Sequence, residues 1–145
     1  MSINKNYTIS TDKEKLQIEV IHGFLSNSYW AKNIPIEIVK RAVKNALCFG
    51  IYLDNQQVGF ARVISDFTTF AYLADVFVLE EHRGKGLSKK LMQQIMAHPD
   101  LQGLRRFCLG TRDAHKLYEQ FGFSIIKKPE LWMEIKHENF YLAAP

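Results

Sequence analysis

Between Val78 and Met96 the chain passes from an apolar run into an amphipathic one through a turn that carries two glycines, Gly84 and Gly86, and three basic groups, His82, Arg83 and Lys85. Beyond the turn Leu87, Leu91, Met92, Ile95 and Met96 recur at helical spacing, with Lys89, Lys90, Gln93 and Gln94 between them. That pattern predicts a helix with one packed face and one wet face. The first turn of such a helix leaves amides without partners and concentrates partial positive charge. Glycine at 84 and 86 permits left-handed backbone and close approach of a ligand, so strand, turn and helix together predict a seat where several amides grip one phosphate. Glycines with basic residues also occur in ordinary loops, and two known phosphate loops are absent. Lys89 stands where G-x-G-x-x-G needs its third glycine, and G-x-x-x-x-G-K-[ST] has no match.

The turn does match [QR]-x-x-G-x-[GA], as Arg83-Gly-Lys-Gly86-Leu-Ser88, and follows the strand-like run Tyr72 to Val78. Some thirty residues later Ala114-His-Lys-Leu-Tyr118-Glu-Gln-Phe-Gly122-Phe123 has the form A-x-x-L-Y-E-x-x-G-F. In these two segments, in this order, the sequence resembles the GNAT superfamily of N-acetyltransferases. Two positions depart from the pattern: Ser88 stands in place of Gly or Ala, and Thr111 where many members have Asn. Serine is small and can donate to a phosphate.

The resemblance implies an α/β (α+β) fold with a mixed, mostly antiparallel central sheet flanked by helices, in which two parallel strands splay at their carboxyl ends. Acetyl-CoA would lie in that gap, its pantetheine arm against the backbone of Phe77 and Val78. Its pyrophosphate would rest on Arg83, Gly84, Lys85, Gly86, Leu87 and Ser88, with Thr111 also on the cofactor side. The implied catalytic group is Tyr118, close to the cofactor sulfur. A phenol with pKa near 10 can protonate a departing thiolate; the other reading is a packed tyrosine bonded to a backbone carbonyl. Tyr29, Trp30 and Tyr72 are implied contacts for the acceptor, with core capping as the alternative for Tyr29 and Trp30. Asp75, set in an apolar run, is a candidate base for the acceptor amine, because burial raises a carboxyl pKa. A structural carboxylate, paired with Arg62 on the neighbouring strand or bound to backbone amides, is the reading the sequence slightly favours over a base. No catalytic metal is expected.

Taken in order, Tyr7 to Ser10 reads as a strand, and Thr11 with Glu14 as a capping box for a helix bearing Leu16, Val20 and Phe24. Pro35 suits the first turn of a second helix that buries Ile36, Val39, Val43 and Leu47. Residues 48–53, 58–64 and 70–78 read as three antiparallel strands joined by short polar turns. The central helix ends near His98 and Pro99, and 104–110 returns as a strand parallel to 70–78. A helix capped by Thr111 and ended by Gly122 follows. Segments 123–127 and 131–136 read as a closing hairpin whose aromatics wall the acceptor side.

At 145 residues, 47% hydrophobic and 23% charged, the composition suits one globular domain. Cys48 and Cys108 sit inside apolar runs without metal-ligand spacing, which predicts buried thiols. No apolar run approaches the roughly 18 residues of a membrane span, and the opening Met-Ser-Ile-Asn-Lys-Asn lacks a secretory core; a cytoplasmic protein without membrane association is expected. The net charge of +4 is dispersed in short doublets, which argues against nucleic acid as a partner. The expected activity is direct transfer of acetyl from acetyl-CoA to a primary amine of a small molecule, to which Asp66 and Asp75 would suit a cationic group. A protein amine as acceptor, a catalytically silent acyl-CoA sensor, a basic interaction module and assembly into a homodimer all remain open.

Overall fold

The computed structural model describes residues 6–143. The opening Met-Ser-Ile-Asn-Lys, read above for a secretory signal, lies outside them. Five strands form one sheet in the order β1 (Tyr7–Ser10), β2 (Leu47–Leu53), β3 (Gln56–Ser65), β4 (Phe70–Val78) and β5 (Arg106–Leu109). The first four are antiparallel neighbours, and β5 runs parallel to β4. This is the mixed, mostly antiparallel sheet that the sequence led us to expect.

Helices cover both faces. α3 (Leu87–Ala97) buries Leu87, Leu91, Met92 and Ile95 against Phe49, Ala61, Val63, Ala71 and Leu73. On the opposite face α1 (Ile18–Leu25) and α2 (Ile36–Lys44) bury Ile21, Leu25, Val39 and Val43 against Cys48, Phe60 and Phe77. The stripe of α3 comes directly from its 3.6-residue period. A short fourth helix, α4 (His115–Glu119), follows β5.

Period-two alternation does not survive along β4. Ala71 and Leu73 pack toward α3, yet Phe77, also odd-numbered, packs toward α1 and α2. The cause is a bulge: Phe60 pairs with Phe77 but Arg62 pairs with Ala74, so β4 holds one residue too many. Asp75 occupies it with φ of 57°, a left-handed angle that a non-glycine residue seldom adopts. The extra residue reverses which side chains face which layer, and Phe77 thereby stacks on Phe24 at 4.2 Å between ring centroids.

Several expectations are corrected. Thr11 caps nothing; Asp12 accepts from the Glu14 amide at 3.0 Å and starts a single 3-10 turn, Lys13–Lys15. α1 begins only at Ile18, because Gln17 is held extended by Gln57, whose Oε1 accepts from the Gln17 amide at 2.7 Å. Leu47 opens β2 rather than closing α2. No closing hairpin forms: residues 123–136 contain one 3-10 turn, Pro129–Leu131, and no strand. Their β-prone side chains lack a paired neighbour within the chain, and strand preference without a partner does not make a strand.

Candidate active site

The parallel pair β4 and β5 is joined only over Phe70–Leu73 and Arg106–Leu109. β4 continues to Val78, and from the bulge at Asp75 onward it has no neighbour on the β5 side. A bulge bends its strand and ends pairing, so the splay expected from the sequence has its local cause in Asp75. The Leu79 amide donates to Val58 on β3 at 2.8 Å, and alternation turns the main chain of Val78 the other way, into the gap. There the Val78 carbonyl accepts from Arg83 Nε at 2.8 Å. Phe77 differs from expectation, because its carbonyl lies on the β3 side, 3.0 Å from where a Cβ on Gly59 would stand.

At the end of the gap lies the glycine turn. Gly84 and Gly86 have φ of 77° and 76°, and a Cβ at either would meet nothing within 4 Å. The side without a Cβ is open space. Among the described residues the amides from Gly84 to Lys89 donate to no protein group; the helical ladder of α3 starts with Lys90 donating to Gly86 at 3.1 Å. Lys85 is exposed and Ser88 half-buried, while the Leu87 side chain is in the core, so only its amide reaches the turn. This geometry fits a diphosphate: a row of free amides at a positive helix end, with Arg83 and Lys85 beside it.

On the far side of the splay is a cleft of about 580 Å³. Tyr29, Trp30, Tyr72, Asp75, Thr111 and Tyr118, drawn from four separate stretches of sequence, all line it. Tyr118 is 8% exposed, and among the described residues its hydroxyl has no hydrogen-bond partner. Burial, and after it the neighbouring Tyr29, push its pKa above the ordinary 10.0. The phenol therefore stays protonated through neutral pH. Thr111 does not cap α4, which starts at His115 with Ala114 as its cap; the Thr111 hydroxyl accepts from the Ala114 amide at 3.0 Å and tightens the turn before the helix. Gly122, with φ of 96°, ends that helix as expected.

Asp75 is fully engaged. Its Oδ2 accepts from Arg62 Nε at 2.7 Å, and its Oδ1 accepts from Trp30 Nε1 at 2.8 Å. The carboxylate ties the α1–α2 connection to the bulge of β4. Asp66 is not in the cleft; it accepts from the amides of Thr68, Thr69 and Phe70 in its own turn, which holds its carboxyl well below the usual range. Sequence reasoning missed Arg112, whose guanidinium lies 3.9 Å from the centre of the Tyr29 ring. It also missed how far the chain returns: Lys136 to Tyr141 forms part of the cleft wall. Neither contact has a local signal, since each joins residues remote in sequence.

The family model described as "Acetyltransferase (GNAT) domain" matches residues 44–125. The chain belongs to the GNAT family of acetyltransferases. A protein of Gibberella zeae is 33% identical over 136 residues, spanning 78% of this chain and 76% of its own length. A GNAT crystal structure from Xanthomonas campestris pv. campestris is 55% identical, with a TM-score of 0.92 over 94% of this chain and 96% of its own. Both are named as putative acetyltransferases. A predicted acetyltransferase from Clostridium acetobutylicum, solved with acetyl-CoA, shares the GNAT fold at 13% identity and a TM-score of 0.65, over 90% of this chain and 95% of its own. The GNAT motif residues quoted from the sequence, 83–88 and 114–123, fall within the matched span except that its edges reach further, into α2 and beyond Phe123. No described helix is long and apolar enough to cross a membrane.

Proposed function

We propose that the chain moves an acetyl group from acetyl-CoA to a primary amine of a small molecule by direct transfer. One observation carries the reading: Tyr118, its ring buried and its hydroxyl free of any hydrogen-bond partner among the described residues, lines the same cleft as the splay of β4 and β5, whose other end opens on the free amides of the glycine turn. A ligand with a diphosphate at one end and a thioester at the other matches that layout. The fold shared with a protein solved with acetyl-CoA supports the donor.

The diphosphate rests on the amides from Gly84 to Ser88 with Arg83 and Lys85, and the arm runs along the Val78 edge of β4. The free-base amine attacks the thioester carbonyl, β4 amides near the bulge stabilise the developing oxyanion, and the C–S bond breaks. Tyr118 gives its proton to the thiolate, and the proton released by the new amide nitrogen returns the phenol to its acid form through solvent. Asp75 acts as a positioning residue: with both oxygens engaged it holds the bulge and Trp30 rather than the amine proton. Thr111 shapes the turn that presents Tyr118. Tyr29, Trp30 and Tyr72, all open to solvent, receive the acceptor, and a cleft of about 580 Å³ with aromatic walls suits a small molecule. Lys32 and Asp113 also line the cleft, as do Lys136 and Glu138, which pair with each other at 3.7 Å.

The test is CoA release across amines, amino acids, polyamines, aminoglycosides and peptides. Thiol formed with small primary amines and not with their N-blocked forms is the expected result. CoA binding without thiol release from any class would return the chain to an acyl-CoA sensor, and release with peptides alone would overturn the small-molecule assignment.

A further inference from the structure

Arg62 leaves most of its donors unused. Its side chain is 17% exposed, and within its guanidinium only Nε has a partner, Oδ2 of Asp75 at 2.7 Å. The second carboxylate oxygen accepts from Trp30 Nε1 at 2.8 Å, so the two-pronged pair that arginine commonly makes with a carboxylate does not form. Both Nη groups are without a protein acceptor among the described residues. Donors largely withdrawn from water and left unbonded are destabilising, and a planar guanidinium fixed at one side holds its remaining donors in place for a ligand. The surroundings decide where that ligand stands. Arg62, Trp30, Ala31, Asp75 and Tyr141 line both the cleft of about 580 Å³ and a smaller hollow of about 190 Å³. The hollow is otherwise walled by apolar side chains, among them Ile21, Val39 and Phe60, which offer the Nη groups nothing to bond. An anion reaches them from the cleft.

We propose that the free Nη groups of Arg62 receive a carboxylate of the acceptor, so that the amine acetylated is an amino acid. The inference rests on the acetyl transfer proposed above and names the class of its small molecule. Arginine forks suit carboxylates because two parallel N–H bonds match the two oxygens. Position agrees. Asp75 is the bulge residue of β4 and Arg62 is bonded to it, so a carboxylate on Arg62 lies beside the bulge. A primary amine a few bonds from that carboxylate then stands near the β4 amides assigned to the oxyanion. Charge agrees as well. Lys32, Arg62 and Lys136 line the cleft together with Asp75, Asp113 and Glu138, cations and carboxylates in equal number. An amino acid enters as a zwitterion, neutral overall, and leaves that balance undisturbed. A polyamine or a phosphate ester brings net charge that the walls do not offset.

The test is steady-state CoA release with the standard amino acids, each beside its carboxamide and its decarboxylated amine, compared at equal free-base concentration. The best acid is expected to exceed its amide and its amine in kcat/KM by about 100-fold, mostly through KM. Arg62→Lys keeps a cation opposite Asp75 but not the fork, and should reduce that preference to under about tenfold. A merely structural arginine would slow all three substrates alike. A second arm needs no turnover: by calorimetry with CoA present, the N-acetylated acid should bind the wild type at least about tenfold tighter than its N-acetylated amide, and no tighter in Arg62→Lys. Equal use of acid, amide and amine by the wild type, or a preference unchanged in Arg62→Lys, would overturn this inference and leave acetyl transfer standing. Thiol release from no amine would end the acetyl-transfer reading, and calorimetry would then decide alone: acid and amide bound equally would overturn this inference too.

Discussion

Replacing Asp75 by asparagine separates the two roles that a carboxylate at this position can have. Asparagine keeps the size and tolerates the left-handed φ of 57° as well as aspartate does, so the bulge itself is not strained by the change. What is lost is the charge facing Arg62. Removing one member of a fully buried pair costs about 3–5 kcal/mol. Here the side chains are 17% and 11% exposed, so water still reaches Arg62, and the amide oxygen can accept from one of the two donors. The expected loss is therefore about 2 kcal/mol, read as a shift of the urea midpoint at unchanged slope. Asp75→Ala should cost a further ~1–2 kcal/mol, since alanine gains nothing from the left-handed angle. In catalysis a positioning role predicts a roughly tenfold fall in kcat/KM, mostly in KM for the amine, with an unchanged pH profile. A general base contributes about 10²–10⁴-fold. A loss of that size in kcat, with the acid limb of the profile abolished and stability barely altered, would refute the positioning role.

Tyr118→Phe should lower kcat by about 10²-fold while CoA affinity by calorimetry stays within a factor of two or so; an unchanged rate would remove the phenol from the mechanism. Because burial raises its pKa above 10.0, the active protonated form persists as pH rises through 10, and the alkaline fall in kcat should start above that point and vanish in the phenylalanine variant. Gly86→Asp places a side chain on a left-handed residue and a negative charge in the diphosphate seat, and is expected to weaken CoA by about 100-fold or more in calorimetry. Tyr52 is 3% exposed with a hydroxyl that has no partner, so Tyr52→Phe should stabilise the protein by ~1 kcal/mol in urea unfolding. Burial pushes the Tyr52 phenol up to about 12, so its contribution is present below pH 10 and lost as pH rises from 10 toward 12; the variant should flatten the stability curve in that window.

Local chemistry is what one strand of text records well. The stripe of α3, the two glycines that take left-handed angles, the helix end at Gly122 and the antiparallel run from Leu47 to Val78 are each decided by neighbours a few residues away, and all were legible without coordinates. The family followed from the two motifs for the same reason. The bulge was not legible, because Asp75 gives no sign of a left-handed angle; Arg62, Trp30 and the change of packing side between Leu73 and Phe77 hold it there. Nor could the text say that Thr111 would bond one residue ahead of α4, that Arg112 would cover Tyr29, or that 123–136 would stay unpaired. A strand is a relation between two segments, and a bound carboxylate is a relation among three. Tertiary packing decides such relations, since their energies arise only when residues far apart in sequence are brought within a few ångströms.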